Sequence, residues 1–260
     1  MICKICNQDN NSIFTAKILN KYDVDYYHCS QCYFLQTEEP YWLEESYKES
    51  INLSDTGIML RNISLSHITT IIVFFFYNRK KKFLDYAGGY GILTRMLRDV
   101  GLDFYWKDKF SKNLLARGFE YSSNNSFELV TSFEAFEHFE NPLEEIESML
   151  TKSDTILFST NLINDDLPNP SEWWYFGLEH GQHISFFSKK TLEYVAKKYN
   201  LNLYTNNSSI HLLTAKNINR YFFWFVLKLN RLGIFYLLRL FHSSKTGNDM
   251  GEIINKINIK

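Results

Sequence analysis

From about residue 83 onward, short apolar runs alternate with segments of helical spacing. Lys82-Phe83-Leu84-Asp85-Tyr86 is an apolar run that carries one acid, and it predicts a strand. Ala87-Gly88-Gly89-Tyr90-Gly91 predicts a flexible turn. Ile92, Leu93, Met96, Leu97 and Val100 then recur at helical spacing, and Gly101 follows as a C-cap. Further strands are predicted over Phe104–Trp106, Phe127–Phe133 and Thr155–Thr160. Helices are predicted over Pro142–Leu150 and Ser188–Tyr199, the second with Ser188 as its N-cap. Strand-helix alternation of this kind predicts an α/β fold: a doubly wound, mostly parallel sheet covered on both faces.

The flanks read differently. The apolar run Ile71 to Tyr77 ends at Arg79-Lys80-Lys81-Lys82, which predicts a buried helix followed by a solvated turn. No stretch reaches the roughly 18 uncharged apolar residues of a membrane span, and no signal-peptide pattern opens the chain, so a cytoplasmic protein is expected. The aromatic segment from Tyr221 to Phe241 carries Lys228, Arg231 and Arg239. It reads as a helix packed on the main domain or as a homodimer contact, in preference to a membrane-surface or partner-binding helix. Four segments result: 1–37, 38–80 (a helical connection), 81–215 (the α/β domain) and 216–260 (a helix and a polar tail).

All four cysteines lie in the first 32 residues, as Cys3-x2-Cys6 and Cys29-x2-Cys32. Each pair sets two thiolates on one tight knuckle, and two knuckles complete a tetrahedral site, so a zinc ion is expected here. Two disulfides are the alternative, disfavoured by a reducing compartment. Four thiolates leave no open coordination position, so the ion is expected to be structural. No cysteine remains to act as a nucleophile.

Composition narrows the partners. A formal net charge of −1 gives little attraction to nucleic acid, which requires clustered Lys and Arg. The expected substrate is therefore a small molecule. An aromatic content of 17% suits either a ring-binding site or a Phe-rich core.

The glycine turn carries the candidate ligand chemistry. Gly88, Gly89 and Gly91 let backbone approach a ligand at a helix N-terminus. Asp85 precedes them, and Asp108, at the end of the next strand, is placed to hold ribose hydroxyls. The dinucleotide fingerprint fails because Thr94 stands where its last glycine belongs, and no Walker lysine follows. An acid directly before the turn repels pyrophosphate but pairs with a cationic amino group, such as that of S-adenosylmethionine.

Phe83-Leu84-Asp85-Tyr86-Ala87-Gly88-Gly89-Tyr90-Gly91, together with Phe127 to His138 and its terminal Glu137-His138 pair, resembles the class I S-adenosylmethionine-dependent methyltransferases over about residues 80 to 200. The resemblance implies that Asp85, Gly89 and Gly91 line the methionine end of the cofactor and that Asp108 holds the ribose. It also implies that Phe110 lies against the adenine and that Phe133 and Glu134 flank the reactive end. Ala87 replaces a family glycine. The third strand must be short, near Gly118 to Tyr121, and the acid that reads the adenine amino group is missing, with backbone or Asn124 as its substitute. The four-cysteine module and the later His183-Ile184-Ser185-Phe186-Phe187-Ser188 segment resemble bacterial sugar C-methyltransferases. That implies a nucleotide-activated sugar or surface-polysaccharide precursor as acceptor, methylated on carbon or oxygen.

The densest polar-aromatic cluster is Trp173 to His183. Methyl transfer requires loss of a proton from the acceptor, and a near-neutral imidazole can take it. His180 and His183 are the candidate bases, with Glu179 or Tyr175 orienting them. Two other readings stay open: an RNA methyltransferase gripping RNA through the zinc module, and a catalytically inactive, zinc-stabilised interaction protein.

Overall fold

The computed structural model describes residues 1–48, 52, 55–123, 125–164 and 166–258. In chain order its strands and α-helices are β1 (Asn11–Ile18), β2 (Tyr22–His28), β3 (Leu35–Thr37), α1 (Leu43–Ser46), α2 (Ile58–Phe76), β4 (Lys82–Tyr86), α3 (Ile92–Val100), β5 (Asp103–Lys107), β6 (Leu129–Ser132), α4 (Pro142–Leu150), β7 (Thr155–Ser159), β8 (Ser185–Phe186), α5 (Lys189–Lys198), β9 (Asn202–Thr205), β10 (Ile210–Thr214), α6 (Arg220–Leu229), α7 (Ile234–Arg239) and α8 (Thr246–Asn258). The larger sheet has the order β5-β4-β6-β7-β10-β9. It is the mixed, mostly parallel sheet of the expected α/β class, with β4 parallel to β5 and β6 and an antiparallel β9–β10 pair.

The chain divides into two compact units. One comprises Met1–Leu53, Phe133–Asp154 and Phe158–Lys216; the other comprises Ser54–Ser132, Thr155–Leu157 and Asn217–Lys260.

In the second unit β4, α3, β5 and β6 fall where the pattern placed them, while the tail expected only to be polar forms α8. α3 spans Ile92–Val100, and Gly101 closes it at φ 113°. The short third strand is reduced to one parallel bridge, Trp106 to Glu120, held by Trp106 N–H to the Phe119 carbonyl and Tyr121 N–H to the Trp106 carbonyl. Arg98 is 2% exposed and fully engaged: it donates to both carboxylate oxygens of Asp249 on α8 at 2.7 and 2.8 Å and to Asp103 at 2.8 Å. A buried guanidinium must be paired, and this pairing fastens the C-terminal helix to α3. α2 is longer than the run Ile71 to Tyr77. Among the described residues it is one helix long and apolar enough to cross a membrane by length and composition. Its Leu65 and Ile71–Val73 are buried, and His67 stacks on Phe235 of α7. α6 buries Val226 in one apolar cluster with Ile71, Val100 and Phe235, buries Phe223 beside Phe76 and leaves Tyr221 and Trp224 exposed.

In the first unit β1, β2 and β3 form an antiparallel sheet that β8 completes, since Leu35 and Gln36 pair with Phe186 and Ser185. The cysteine-bearing segment therefore shares a core with chain far downstream: Ile18, Val24, Tyr26 and Trp42 pack with Tyr175, Phe176, Ile184 and Phe186. Thr191 of α5 donates its hydroxyl to the Cys32 carbonyl, and Ser188 caps α5 through a reciprocal capping box with Thr191.

Candidate functional site

The glycine turn between β4 and α3 has the backbone its residues permit. Gly89 and Gly91 have φ of 53° and 83°, in the left-handed region that costs glycine nothing. Nothing lies within 4 Å of where a Cβ on Gly89 would stand, so its backbone faces open space. A Cβ on Gly88 would meet Asp85 Oδ2 at 2.8 Å and Trp106 Cδ1 at 2.9 Å, so only glycine fits there. Ala87 also has φ of 59°, so the residue that replaces the family glycine keeps the glycine conformation under strain. α3 begins at Gly91, which has no side chain to cap it, while Asp85 takes the backbone N–H of Thr94 in the first turn.

Asp108 is tied to this turn. Its Oδ2 accepts from Gly89 N–H at 2.9 Å, and its Oδ1 accepts from Phe110 and Ser111 N–H at 2.7 and 2.6 Å. A carboxylate has about four acceptor positions, so one remains for a hydroxyl. Phe110 is 81% exposed on the adjoining loop. Asp85 behaves differently from Asp108. It is 2% exposed and accepts hydroxyl bonds from Thr94 at 2.8 Å and Thr131 at 3.0 Å, bracing the turn between α3 and β6. Burial pushes its pKa up to about 6. Any influence of Asp85 on a ligand passes through these neighbours. Asn124 lies outside the described residues.

In the other unit, Phe133 is nearly buried, and Glu134 follows at φ 50°. Glu134 N–H donates to the Ser159 hydroxyl at 2.8 Å, and that hydroxyl donates back to Glu134 Oε1 at 2.6 Å. This closed ring holds Glu134 in a conformation few non-glycine residues adopt.

The same unit contains the histidine segment. Gly177 and Gly181 turn the chain at φ 58° and 67°. A Cβ on Gly177 would stand 2.3 Å from the His180 ring, and one on Gly181 would stand 2.4 Å from Ile18 Cγ2. Trp42 locks the turn by donating Nε1–H to the Gly181 carbonyl at 2.8 Å. His183 is buried and lies 2.6 Å through Nδ1 from the Tyr175 carbonyl. A carbonyl only accepts, so Nδ1 carries the proton and Nε2 carries the lone pair. Burial holds His183 well below the usual histidine range, so it is neutral. His180 has its Nδ1 occupied as acceptor of Gln182 N–H at 3.1 Å, and its ring packs 4.8 Å from that of His183. Of the two candidates, His183 therefore has the better-presented lone pair.

Tyr175 is buried. Its contribution is its backbone carbonyl, while its hydroxyl shares a 3.2 Å bond with Thr160. Glu179 is exposed and does not join this group. Instead the fold brings in Glu137 and His138. Ligand atoms of Glu137, His138 and His183 lie within 4.8 Å of one another. His138 Nδ1 lies 3.1 Å from the Gln182 carbonyl and 2.9 Å from the Tyr47 hydroxyl, and burial lowers its pKa to about 4. The sequence signal for these two residues was the Glu-His pair after the fourth predicted strand. His211 is 0% exposed and bonded at both nitrogens, to Thr205 and to the Thr160 carbonyl, which marks it as a core histidine.

The four cysteines also converge in this unit. Cys3 and Cys32 Sγ are 3.5 Å apart, Cys6 and Cys29 Sγ are 3.3 Å apart, and all four lie within 4.8 Å of one another. Zinc-thiolate bonds of about 2.3 Å in a tetrahedron set sulfurs about 3.8 Å apart, so the cluster fits that ion.

A family model described as a methyltransferase domain matches residues 61–206. No curated protein matches the chain. Similar solved structures include OxaC in complex with sinefungin and meleagrin (16% identity, 52% of this chain, TM-score 0.38). They also include the mitomycin 7-O-methyltransferase MmcR (13%, 66% of this chain, 0.44). A third is the magnesium protoporphyrin IX methyltransferase ChlM of Synechocystis PCC 6803 with bound SAH (14%, 67% of this chain, 0.42). The chain spans 43% of OxaC, 59% of MmcR and 94% of ChlM.

Proposed function

The chain belongs to the methyltransferase-domain family, and from that premise we propose that it transfers the methyl group of S-adenosylmethionine to a small molecule. The observation that carries the cofactor half is the turn at Gly88-Gly89-Gly91, open at Gly89 and bonded to Asp108. Gly89 and the start of α3 receive the amino-acid end, with Asp85 bracing the turn behind them. The remaining acceptor position of Asp108 receives one ribose hydroxyl, and Phe110 is the ring offered to the adenine. Phe133 and Glu134 are assigned to the reactive end. The bound cofactor would supply an electrophilic methyl group; the acceptor atom that takes it must lose a proton.

Activation of that acceptor is assigned to the group around His183, with Glu137 and His138, while His180 and Tyr175 position the ring. Cys3, Cys6, Cys29 and Cys32 are assigned a structural zinc ion. The near-neutral charge weighs against nucleic acid, and the resemblance to sugar C-methyltransferases supports an activated sugar or a surface-polysaccharide precursor as acceptor, methylated on carbon or oxygen.

Calorimetry with S-adenosylmethionine and with its demethylated product tests the cofactor half. Micromolar binding is expected, with Asp108→Ala weakening it by at least about tenfold, the loss of roughly one charge-assisted hydrogen bond. Absence of binding by either compound sinks the reading. Salt-sensitive RNA binding would replace the small-molecule acceptor with a nucleic acid.

A further inference from the structure

We propose that Glu137, His138 and His183 bind a divalent first-row transition-metal ion, separate from the one assigned to the cysteines. The proposal deepens the functional reading above, and only the catalytic role of the ion rests on that reading. Two segments distant in sequence are brought together by backbone. Ile184 N–H donates to the Glu137 carbonyl at 2.8 Å, and the Ser185 hydroxyl donates to the Phe139 carbonyl at 2.7 Å. These bonds seat His183 against the short helical turn Phe136–His138 and put three ligand atoms within 4.8 Å of one another. Bonds of about 2.1 Å to nitrogen and oxygen require donor atoms roughly 3.0–3.4 Å apart, so binding an ion would draw the three atoms closer together.

The orientation of both imidazoles is the independent observation. His183 Nδ1 faces the Tyr175 carbonyl, and His138 Nδ1 faces the Gln182 carbonyl. The Tyr175 carbonyl demands a proton on His183 Nδ1, so that ring presents its Nε2 lone pair; His138 does the same when the Tyr47 hydroxyl, 2.9 Å from its Nδ1, accepts alongside the Gln182 carbonyl. Metal-ligating histidines are fixed in this way, by giving their other nitrogen to a backbone carbonyl. His211 is the contrast within the same unit, because protein bonds occupy both of its nitrogens.

Two imidazoles and one carboxylate select a borderline ion such as Zn2+, Fe2+, Co2+ or Mn2+ over Mg2+ or Ca2+, which favour all-oxygen shells. Three protein ligands leave coordination positions open, unlike the four-thiolate set. An acceptor hydroxyl bound there would become more acidic, because a divalent cation stabilises the alkoxide, and its proton would pass to solvent.

The test uses the full chain, stripped by chelation and then titrated with Co2+. Thiolate-to-cobalt charge transfer reports the cysteine site, and the weaker visible bands of a nitrogen-oxygen site report this one. Wild type should bind two ions per chain. His183→Ala and Glu137→Gln should each bind one and keep the thiolate band, which also shows that this unit is folded. Should His183→Ala lose the thiolate band as well, Glu137→Gln decides alone. The proposal is overturned if wild type binds only the thiolate-ligated ion, or if the second ion survives in Glu137→Gln. Because S-adenosylmethionine is absent from the titration, failure here leaves the cofactor-binding test standing, and the group around His183 then acts as a plain base.

Discussion

At the scale of single residues, Ala87 and Asp85 show how the turn is held and at what cost. Ala87 at φ 59° adopts a backbone that disfavours a Cβ by about 1 kcal/mol or more. Ala87→Gly should therefore raise stability by up to about 1 kcal/mol, reduced by the extra freedom of glycine in the unfolded chain, and thermal unfolding should show a rise of a few degrees at most. A fall in melting temperature would mean that the turn is not strained.

Asp85 is the second case. Its folded pKa of about 6 exceeds the ordinary 3.8, so the folded chain takes up a proton before the unfolded chain does. Ionised Asp85 thus destabilises the cofactor-free fold above pH 6, and its protonation relieves this as pH falls toward 4. Relative to Asp85→Asn, the wild type should gain on the order of 1 kcal/mol between pH 7.5 and pH 5 in urea unfolding. No change in that difference would show that Asp85 titrates as an exposed acid.

At the scale of elements, the segment from Trp173 to His183 is shaped by what it packs on. It is a short turn closed by Gly177, followed by a second turn at Gly181, with Trp42 clamped on the Gly181 carbonyl. Gly181→Ala should cost about 2 kcal/mol or more, because it meets a methyl of Ile18 at 2.4 Å and forces an alanine to φ 67°. Chemical denaturation measures the loss. Elements with local causes were legible from the chain: α3 from its spacing and its Gly101 cap, and α5 from Ser188. The sheet of β1, β2, β3 and β8 was not, since β8 is two residues long and pairs with a strand some 150 residues earlier. No local pattern encodes a partner at that distance.

At the scale of the whole molecule, the zinc ion proposed at the four cysteines would fasten one unit. Cys3 and Cys32 join the two ends of a segment whose core is shared with residues 163–186. Cys29→Ser should abolish the thiolate-bound ion and lower the stability of that unit by on the order of 3 kcal/mol, read by metal content and thermal unfolding together. The loss stays below that of an isolated zinc peptide, because Trp42, Tyr26 and Phe176 supply an apolar core as well.

The chain by itself determined the features whose cause is local: the strand-helix alternation, the glycine turn with Asp85 and Asp108 around it, and the two cysteine knuckles. Side-chain type and spacing suffice for these, since each feature spans a few residues or repeats one motif. Tertiary structure alone decided which histidine presents a free lone pair and which groups join it. His138 and Gln182 are 44 residues apart, and the bonds from Ile184 to Glu137 and from Ser185 to Phe139 make them neighbours. Likewise only packing set Glu179 in solvent and Asp85 out of it, because burial belongs to the folded chain and not to any one residue.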